Sequence, residues 1–569
     1  MSFSFAAVFS DHCVLQRNKN ITIFGYADDG KAVKVALLAA NGSVLCTNTG
    51  RAKAGRWEVQ LEPQVAQTGC TLTAELCPAS PEDKADGEIS PSTITLTDIA
   101  IGEVWLAGGQ SNMEFELQNC TEGPEEMADT KGDGGAKNVR FYYTNKIGWM
   151  DDHFFEAERN ICWQTWESPA RGSWSAVGFF FAKKLAAELG VTVGLIGCNW
   201  GGTSASAWMA REYLEKDQDL RTYLTEQEEA TAGKSIEQQC KEYDDYEIEN
   251  NEWQRKFGEM FAKDNSLTWE TATSILGPCP WPGPKSCKNP YRPTGLYDCM
   301  LRRVMPYTMQ GVIWYQGESD DHKPGMYRKL FTNMIDNWRT DWHDDTLPFI
   351  FVQLPEHRYQ ADKDFKHWCL IREAQQQVGN TVKNAWMSCA LDQGQFNDIH
   401  PRAKRVVGQR LEAIAMEKVY GADDKKSLSP MLSSSINIDG KIILTFANAE
   451  SGFTLHDDTK ELEEYKMMEK AQGNEVPEDF TGFEIAGEDC IYYPAKFAFG
   501  GRDGALNQII LCSDKVKEPK FARYAWYNYG PVTVFSKEGL PLAPFRTSQK
   551  DSLEKAESEH AKIQQIMTV

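Results

Sequence analysis

The apolar and polar positions of the chain change their period along its length, and these changes mark three regions. In the first, residues 1–98, apolar and polar side chains largely alternate in short runs that Gly, Asn and Asp separate. Alternation between turn residues is typical of the strands of a β-sandwich. The predicted strands are 14–16, 21–24, 33–38, 57–61, 71–76 and 93–96. We therefore predict an N-terminal β-sandwich domain, with the polar residues 79–92 as an exposed loop.

In the middle region, residues 99–425, near-continuous apolar runs alternate with helical patterns. The apolar runs are 102–107, 191–197, 310–315, 349–354 and 386–391, and the predicted helices are 174–189, 327–338 and 402–420. Strands that are apolar on both faces and alternate with helices belong to a parallel sheet that is covered on both sides. The middle region is therefore predicted to be an α/β domain.

Residues 212–295 interrupt this α/β pattern. The early part, 226–258, is charged and helical, whereas 278–293 is rich in Pro, Gly and Cys. We interpret the segment as an insertion, with a surface elaboration favoured over a lid or an oligomer contact. Beyond the α/β domain the chain returns to short strands, which predict a C-terminal β-domain over 426–547 and a polar, helical tail over 548–569.

Composition narrows the functional classes. The 569 residues, enough for three or four domains, carry a formal charge of −22, which argues against nucleic acid or an anionic membrane as the main partner. No apolar run reaches the length of a membrane span, and the first residues lack the basic and apolar parts of a signal peptide. The 15 cysteines show no C-x-x-C pairs, so we expect reduced thiols in a cytoplasmic protein and no zinc site.

The first apolar run of the middle region ends in a motif suited to present a hydroxyl group. Gly108 and Gly109 permit a tight turn, Ser111 follows at once, and the next residues begin a helix. Helix N-terminal amides can hold a developing negative charge. This strand–turn–helix is similar to the G-x-S-x-G nucleophile elbow, although Met113 stands where that motif has its second glycine. Ser111 is therefore a candidate nucleophile.

Polar residues follow the other apolar runs too. They are Asn199-Trp-Gly-Gly-Thr203, Gln316-Gly-Glu-Ser-Asp320, Asp392 and Asn397-Asp-Ile-His-Pro401. In an open parallel sheet the carboxyl ends of the strands lie along one edge, where ligands bind. We therefore expect Ser111 and His400, about 290 positions apart, to meet in one crevice.

These positions suggest chemical roles. A serine hydroxyl needs a base, and His400, between a strand end and a helix start, is the preferred candidate over His357. Asp398 is the nearest acid to orient its imidazole, and Asp392 is the alternative.

Oxyanion stabilisation needs preorganised donors. The backbone amides of Ser111 and of Gly201 or Gly202 are candidates, and the side-chain amide of Gln316 is a further one. Glu318 is a candidate acceptor that positions nearby donors, and Asn112 completes the predicted oxyanion and substrate-binding set. The alternative interpretation of Gly201-Gly202 and of 316–320 is an ordinary strand-to-helix turn.

Four blocks together resemble the sialate O-acetylesterases, which belong with the Ser-Gly-Asn-His esterases of flavodoxin-like, three-layer fold. The blocks are 102–114, 200–203, 314–320 and 398–401, and weaker likenesses lie at 9–17 and 525–531. By this resemblance Ser111 is the nucleophile and His400 the base. Two positions depart from the superfamily pattern. Many Ser-Gly-Asn-His esterases carry an aspartate three residues before the histidine, where this chain has Asn397, and Gln316 stands in place of the oxyanion asparagine. The acid therefore stays open, and a Ser–His dyad is an alternative.

The resemblance implies a serine esterase that removes O-acetyl groups from carbohydrates through an acetyl-enzyme, without metal or cofactor. O-acetylated sialic acid is the expected substrate, and acetylated xylan is the alternative. A different class also stays open, namely a catalytically inert carbohydrate-binding protein. Four tryptophans either stack on sugar rings or, as the favoured interpretation, belong to the core: Trp105, Trp200, Trp208 and Trp314.

Overall fold

The computed structural model describes residues 3–77, 93–264, 267, 269–359, 364–422, 426–501 and 503–550. The predicted loop at 79–92 and the part of the predicted tail after residue 550 lie outside the described residues. Within these ranges the protein has a mixed α/β fold with several sheets. No helix in the described ranges is both long enough and apolar enough to cross a bilayer.

The N-terminal region consists of strands, as the alternating pattern predicts. They are β1 (Ser4–Phe5), β2 (Val14–Gln16), β3 (Ile21–Tyr26), β4 (Ala32–Leu38), β5 (Val44–Arg51), β6 (Arg56–Leu61) and β7 (Gln67–Cys77). Strands β1, β3 and β6 form one small sheet, whereas β5, β4 and β7 continue into a ten-stranded sheet. The alternating side chains of β4 and β6 are buried at every second position, which explains the period of two.

Strand β8 (Thr93–Gly109) connects the N-terminal sheet to the α/β sheet. Its first residues alternate between exposed and half-buried, and every residue from Ile99 onward is buried. The early part pairs antiparallel with β7, whereas the last part pairs parallel with two strands of the α/β region. The predicted domain boundary at residue 98 therefore falls inside one continuous strand.

The α/β region contributes five more parallel strands with intervening helices. The strands are β9 (Val139–Tyr143), β10 (Val193–Asn199), β11 (Gly311–Tyr315), β12 (Phe349–Gln353) and β13 (Ala385–Cys389). The helices outside the insertion are α1 (Ser111–Glu114), α2 (Gly123–Ala128), α3 (Asp152–Glu158), α4 (Ala176–Leu189), α9 (Arg302–Val304), α10 (Pro324–Asp341), α11 (His367–Thr381) and α12 (Arg405–Lys418). The strand order is β9-β10-β8-β11-β12-β13, and each neighbouring pair is parallel.

Two pairs of helices pack beside this sheet. Helix α4 packs against α12, and α10 packs against α11. The apolar face predicted for α10 is buried, including Tyr327, Phe331 and Trp338. Strand β9 and helix α11 are absent from the sequence prediction, because short or polar-rich segments give a weak periodic signal.

The insertion between β10 and β11 is largely helical in its early part. It contains α5 (Arg211–Glu215), α6 (Arg221–Thr231), α7 (Ile236–Lys263) and α8 (Trp269–Leu276). Along α7 the rings of Trp253, Phe257 and Phe261 stack at intervals of four residues. These positions share one helix face, so the aromatic ladder gives this charged helix an apolar side.

The C-terminal region consists mainly of strands, as predicted. They are β14 (Met431–Ile438), β15 (Lys441–Ala447), β16 (Phe453–Leu455), β17 (Phe483–Ala486), β18 (Tyr492–Pro494), β19 (Lys496–Phe499), β20 (Gln508–Cys512), β21 (Phe521–Tyr524), β22 (Val534–Ser536) and β23 (Phe545–Arg546). A helix that the sequence analysis does not predict, α13 (Thr459–Ala471), lies among them. Arg546 forms a two-pronged ion pair with Glu373 of α11, and this pair joins the C-terminal region to the α/β region.

The glycine at the end of β8 allows the closest approach of two strands at the sheet edge. Gly109 has φ +136°, and a Cβ atom placed there would lie 2.1 Å from the carbonyl oxygen of Tyr315 in β11. A backbone atom cannot yield to such a contact, so only glycine is accommodated at this position.

We expect Gly109→Ala to lower the free energy of unfolding by about 2–4 kcal/mol, because the added methyl group collides with the Tyr315 carbonyl at a strained φ. The urea unfolding midpoint, followed by tryptophan fluorescence, measures the effect. Gly258→Ala in α7 is the matched control, since its Cβ would meet nothing within 4 Å and alanine favours a helix. Equal midpoints for the two variants would contradict this account.

Candidate active site

Ser111 begins helix α1 directly beyond the end of β8. The preceding residue, Gln110, is buried, and its Oε1 atom accepts hydrogen bonds from the amides of Gly317 and Ser319 at 3.4 and 3.2 Å. Its backbone carbonyl accepts from the amides of Met113 and Glu114. Gln110 therefore ties the start of the helix to the loop after β11 and holds Ser111 at the sheet edge.

Ser111 and His400 meet at this edge. The Oγ atom of Ser111 lies 2.8 Å from Nε2 of His400, although the two residues are 289 positions apart in the sequence. This distance is that of a nucleophile and its general base. The rival histidine, His357, is buried, its backbone amide donates to Asn528, and burial lowers the pKa of its imidazole to about 3. His400 is thus the base that the geometry selects.

The environment of His400 favours its neutral form. Burial lowers the pKa of the imidazole, and the nearby cation of Lys404 lowers it further, whereas the carboxylates of Asp398 and Glu114 act in the opposite direction. A neutral imidazole can accept the proton of Ser111. The site is therefore prepared for base catalysis near neutral pH.

The two candidate acids occupy different positions. Asp398 accepts a hydrogen bond from the backbone amide of His400 at 2.9 Å, and its charge acts on the imidazole. Asp392 instead accepts two hydrogen bonds from Arg410, at 2.6 and 2.7 Å. Within the described ranges, no carboxylate is hydrogen-bonded to Nδ1 of His400. The structure therefore does not place Asp392, the alternative acid, at the histidine, because Arg410 holds its carboxylate.

Asn112 is the centre of a buried polar cluster beneath the serine, the Asn112 cluster, which also contains Glu318, Lys404 and the carbonyl of Ile399. Its Nδ2 atom donates to Glu318 Oε1 at 2.7 Å and to the carbonyl oxygen of Ile399 at 3.0 Å. Its Oδ1 atom accepts from Nζ of Lys404 at 2.6 Å. Because Ile399 precedes His400, this cluster positions the histidine loop against the serine helix.

The charges of the Asn112 cluster are strongly perturbed. Burial raises the pKa of the Glu318 carboxyl to about 7, and burial lowers the pKa of the Lys404 ammonium to about 7. The rings of Phe115 and Tyr315 lie 4.9 and 5.6 Å from Nζ of Lys404 and supply cation–π contacts. Lys404 is absent from the sequence prediction. The only local signal was a lysine four residues after the histidine, directly before helix α12.

Of the candidate oxyanion donors, one backbone amide already donates a hydrogen bond within the protein and two do not. The amide of Gly201 donates to Glu114 Oε2 at 2.6 Å, and Glu114 also pairs with Lys146 at 2.5 Å. In the described part of the chain, the amides of Ser111 and Gly202 make no hydrogen bond. These two amides are therefore available to a ligand, whereas Gly201 serves to hold its loop.

The side-chain amide of Gln316 has different hydrogen-bond partners from the one that the sequence predicts. Its Nε2 atom donates to the carbonyl oxygen of Thr203 at 3.2 Å and to Asp320 at 2.7 Å, and its Oε1 atom accepts from Tyr327 at 2.9 Å. The side chain is fully buried. Both amide hydrogens are therefore used, and the prediction that Gln316 donates to an oxyanion does not agree with this geometry.

Asp320 links the same two loops. Its carboxylate also accepts from the hydroxyl of Ser204 at 2.6 Å and from the amide of Ala205 at 2.9 Å. The loops after β10 and β11 thus share one buried carboxylate, which holds the glycine pair beside Ser111.

The four tryptophans considered for sugar stacking divide by burial. Trp105, Trp208 and Trp314 are almost fully buried, so they belong to the core, whereas Trp200 is half-buried. A different aromatic pair lies against the glycine pair beside Ser111. A Cβ atom on Gly202 would lie 3.0 Å from the ring of Trp281 and 3.1 Å from that of Tyr291. Both residues belong to the insertion, and no motif in the sequence distinguished them.

Three comparisons show which known proteins this chain is similar to. Residues 256–417 match a family described as carbohydrate esterase, sialic acid-specific acetylesterase. The sialate O-acetylesterase of Mus musculus is 24% identical in an alignment over 460 residues, and this alignment covers 76% of each chain. That of Homo sapiens is 24% identical over 447 residues, covering 74% of this chain and 72% of the human one.

The structural comparison extends over nearly the whole chain. The crystal structure of a carbohydrate acetylesterase from Xanthomonas citri superposes with a TM-score of 0.68 and 25% identity, covering 96% of this chain and 99% of that one. Fold and comparisons together place the protein in the class of carbohydrate esterases. Within that class the chain is similar to the sialate O-acetylesterases, and the resemblance predicted from the motifs is confirmed.

We expect the acidic limb of the kcat/KM profile to lie below the ordinary pKa of histidine, and Lys404→Met to move it to higher pH by about half a unit. Lys404, with a pKa of about 7, is charged where His400 titrates, so its removal raises the pKa of the imidazole. Hydrolysis of p-nitrophenyl acetate against pH measures the shift. Lys184→Met, at an exposed pair with Glu188, is the control. An unmoved limb, or one moved to lower pH, would contradict the assignment.

We expect Asp398→Asn to lower kcat/KM about tenfold, because asparagine can still accept the His400 amide and only the charge is lost. The acidic limb should move to lower pH, since Asp398 raises the pKa of His400. Asp392→Asn should change kcat/KM less than about threefold while lowering the unfolding midpoint, because it weakens the buried pair with Arg410. A loss of about 10⁴ in Asp398→Asn would instead indicate a full triad acid.

Proposed function

We propose that this protein is a serine esterase that removes O-acetyl groups from carbohydrates through an acetyl-enzyme, with O-acetylated sialic acid as the first substrate. The observation that carries the proposal is the contact of 2.8 Å between Ser111 Oγ and His400 Nε2 at the edge of the parallel sheet. The family model that matches residues 256–417, and the relatives named sialate O-acetylesterase, support the choice of reaction and of substrate.

The first half of the reaction forms the acetyl-enzyme. His400 Nε2 takes the proton of Ser111 as Oγ attacks the acetyl carbonyl carbon. The negative charge that develops on the carbonyl oxygen is stabilised by the amides of Ser111 and Gly202. When the tetrahedral intermediate collapses, the bond to the sugar oxygen breaks and His400 returns the proton to that oxygen. The sugar leaves as an alcohol, and the acetyl group stays on Ser111.

The second half repeats these steps with water. His400 removes a proton from the water molecule as its oxygen attacks the acetyl carbon. Collapse of the second intermediate releases acetate and returns the proton to Ser111 Oγ. No metal or cofactor is required by this sequence of steps. In this proposal Asp398 acts through its charge and its hold on the His400 backbone, so that the reacting pair is a Ser–His dyad.

The finer architecture is also part of the proposal. We propose that the α/β region is a flavodoxin-like three-layer domain flanked by two β-sandwich-type domains. The parallel order β9-β10-β8-β11-β12-β13, in which the first strand along the chain lies inside the sheet, supports the flavodoxin-like part. The pairing of β1, β3 and β6 beside the ten-stranded sheet supports the N-terminal sandwich. A cytoplasmic location stays a prediction.

We expect Ser111→Ala and His400→Ala each to lower acetate release by at least about 10³-fold, because each removes half of the reacting pair. Acetate is measured side by side with O-acetylated sialic acid and acetylated xylan, and an unchanged circular dichroism spectrum verifies folding. Ser274→Ala, an exposed serine of α8, is the matched control and should stay within about twofold.

Three outcomes separate the candidate functions. Faster release from sialic acid supports the preferred substrate, and faster release from xylan selects the alternative. A wild-type protein that binds these sugars but releases no acetate from either would overturn the enzyme assignment in favour of a binding protein.

A further inference from the structure

The late part of the insertion, residues 278–293, lies directly against the glycine pair Gly201-Gly202. We call residues 278–293 the aromatic loop. The hypothetical Cβ of Gly202 would touch Trp281 and Tyr291, and that of Gly201 would lie 3.2 Å from Cβ of Ser111. The rings therefore stand one residue away from the residue that contacts the nucleophile. Because Gly201 and Gly202 have no Cβ atoms, Ser111 can lie close to the first glycine and the two rings can lie close to the second.

The two rings differ in exposure. Trp281 is 48% exposed, the largest side chain of the described residues to be so exposed, whereas Tyr291 is half-buried behind it. Their centroids lie 5.7 Å apart with an angle of 80° between the planes, so the edge of one ring supports the other. An open indole beside a nucleophile is a surface suited to an amphipathic ligand. A sugar ring is an amphipathic ligand of this kind, because it has C–H groups on one face and hydroxyls around its rim.

The aromatic loop is held rigidly from within. The buried side chain of Asn289 donates to the carbonyl oxygens of Pro282 and Pro284 at 3.3 and 2.9 Å and accepts from the amide of Tyr291 at 2.8 Å. These bonds fix the backbone that follows the exposed ring.

The loop is also held to α7. The hydroxyl of Ser286 donates to the carbonyl oxygen of Gln239 at 2.9 Å, and the amide of Cys287 donates to its side chain at 3.0 Å. A preorganised ring binds a ligand with little loss of conformational entropy.

The insertion contacts the other side of the site as well. The guanidinium of Arg402, two residues after His400, lies 5.5 Å from the ring centre of Phe261 in α7. Residues 212–295 thus touch both the glycine loop and the histidine loop. A surface elaboration, the interpretation that the sequence favoured, has no reason to contact both.

We propose that Trp281, supported by Tyr291, binds the sugar ring of the acetylated substrate, and that the aromatic loop is the specificity element of the active site. This inference rests on the proposed function. The acetyl carbonyl lies at Ser111 and the amide of Gly202, and the ring that carries it stacks on the indole. A small alkyl acetate has no ring to place there and gains little from Trp281.

The experiment compares two acetylated sugars with a small alkyl acetate in each variant. For O-acetylated sialic acid and for acetylated xylo-oligosaccharide, kcat/KM is divided by that for ethyl acetate. We expect Trp281→Ala to lower this ratio about tenfold, mainly through KM, and Trp281→Phe to retain most of it, since a ring remains. Ile248→Ala, at an exposed apolar position of α7, should leave the ratio within about twofold.

A binding measurement complements the kinetics. In the Ser111→Ala background, which cannot turn over, isothermal titration with the same sugars should show about tenfold weaker binding when Trp281→Ala is added. Thermal unfolding verifies that the variants fold, and the exposure of Trp281 makes a large loss of stability unexpected.

The outcomes distinguish the inference from the function on which it rests. If the wild-type protein deacetylates a sugar and the ratio is the same in Trp281→Ala, the inference is wrong and the function stands. If the wild-type protein hydrolyses ethyl acetate but neither sugar, the carbohydrate assignment fails and the inference fails with it. A ratio lost in Trp281→Phe as fully as in Trp281→Ala would also contradict ring stacking.

Discussion

The parallel register around the end of β8 is the constraint on which the active site depends. Gly109 pairs with Asn199 of β10 on one side and with Tyr315 of β11 on the other. The three strands therefore end at the same level, and the chain that leaves each of them enters the same space. Ser111, the glycine pair and the 316–320 loop follow from this alignment. It requires a residue without a side chain at position 109, because the Tyr315 carbonyl already occupies that room.

A second level of order comes from buried polar groups that join the strand-end loops. Asp320 holds the loops after β10 and β11 together, and Asn112 joins the serine helix to Glu318, Lys404 and the His400 loop. Buried polar atoms must find partners, so each of these bonds restricts the loops strongly. The same burial that makes the bonds necessary brings the pKa values of Glu318 and Lys404 close to neutrality. Positioning and electrostatics in this site therefore have one physical origin.

Much of the fold could be predicted because its signals are local. The apolar runs that became β8, β10, β11, β12 and β13 are continuous, and the helix pattern of α10 is regular. Helix α13 was not predicted, because its sequence is mostly charged and only Tyr465 and Met468 are buried. The predicted boundary at residue 98 could not reveal that β8 belongs to both neighbouring regions. A strand that continues from one region of a sheet into the next differs from two strands only in its partners, which lie far away in the sequence.

By itself the sequence identified the candidates for the reacting residues. Ser111 after two glycines and His400 at a strand end are recognisable because strand termini, turn glycines and helix starts are encoded by neighbouring residues. Only the tertiary structure decided where each polar atom points. Gln316 donates a hydrogen bond to Asp320, Asp392 accepts one from Arg410, and the amide of Gly201 donates to Glu114. Trp281, from the insertion, lies against Gly202 beside Ser111. A side chain takes the partner that the register of the sheet brings to it, and that partner is not among its neighbours in the sequence.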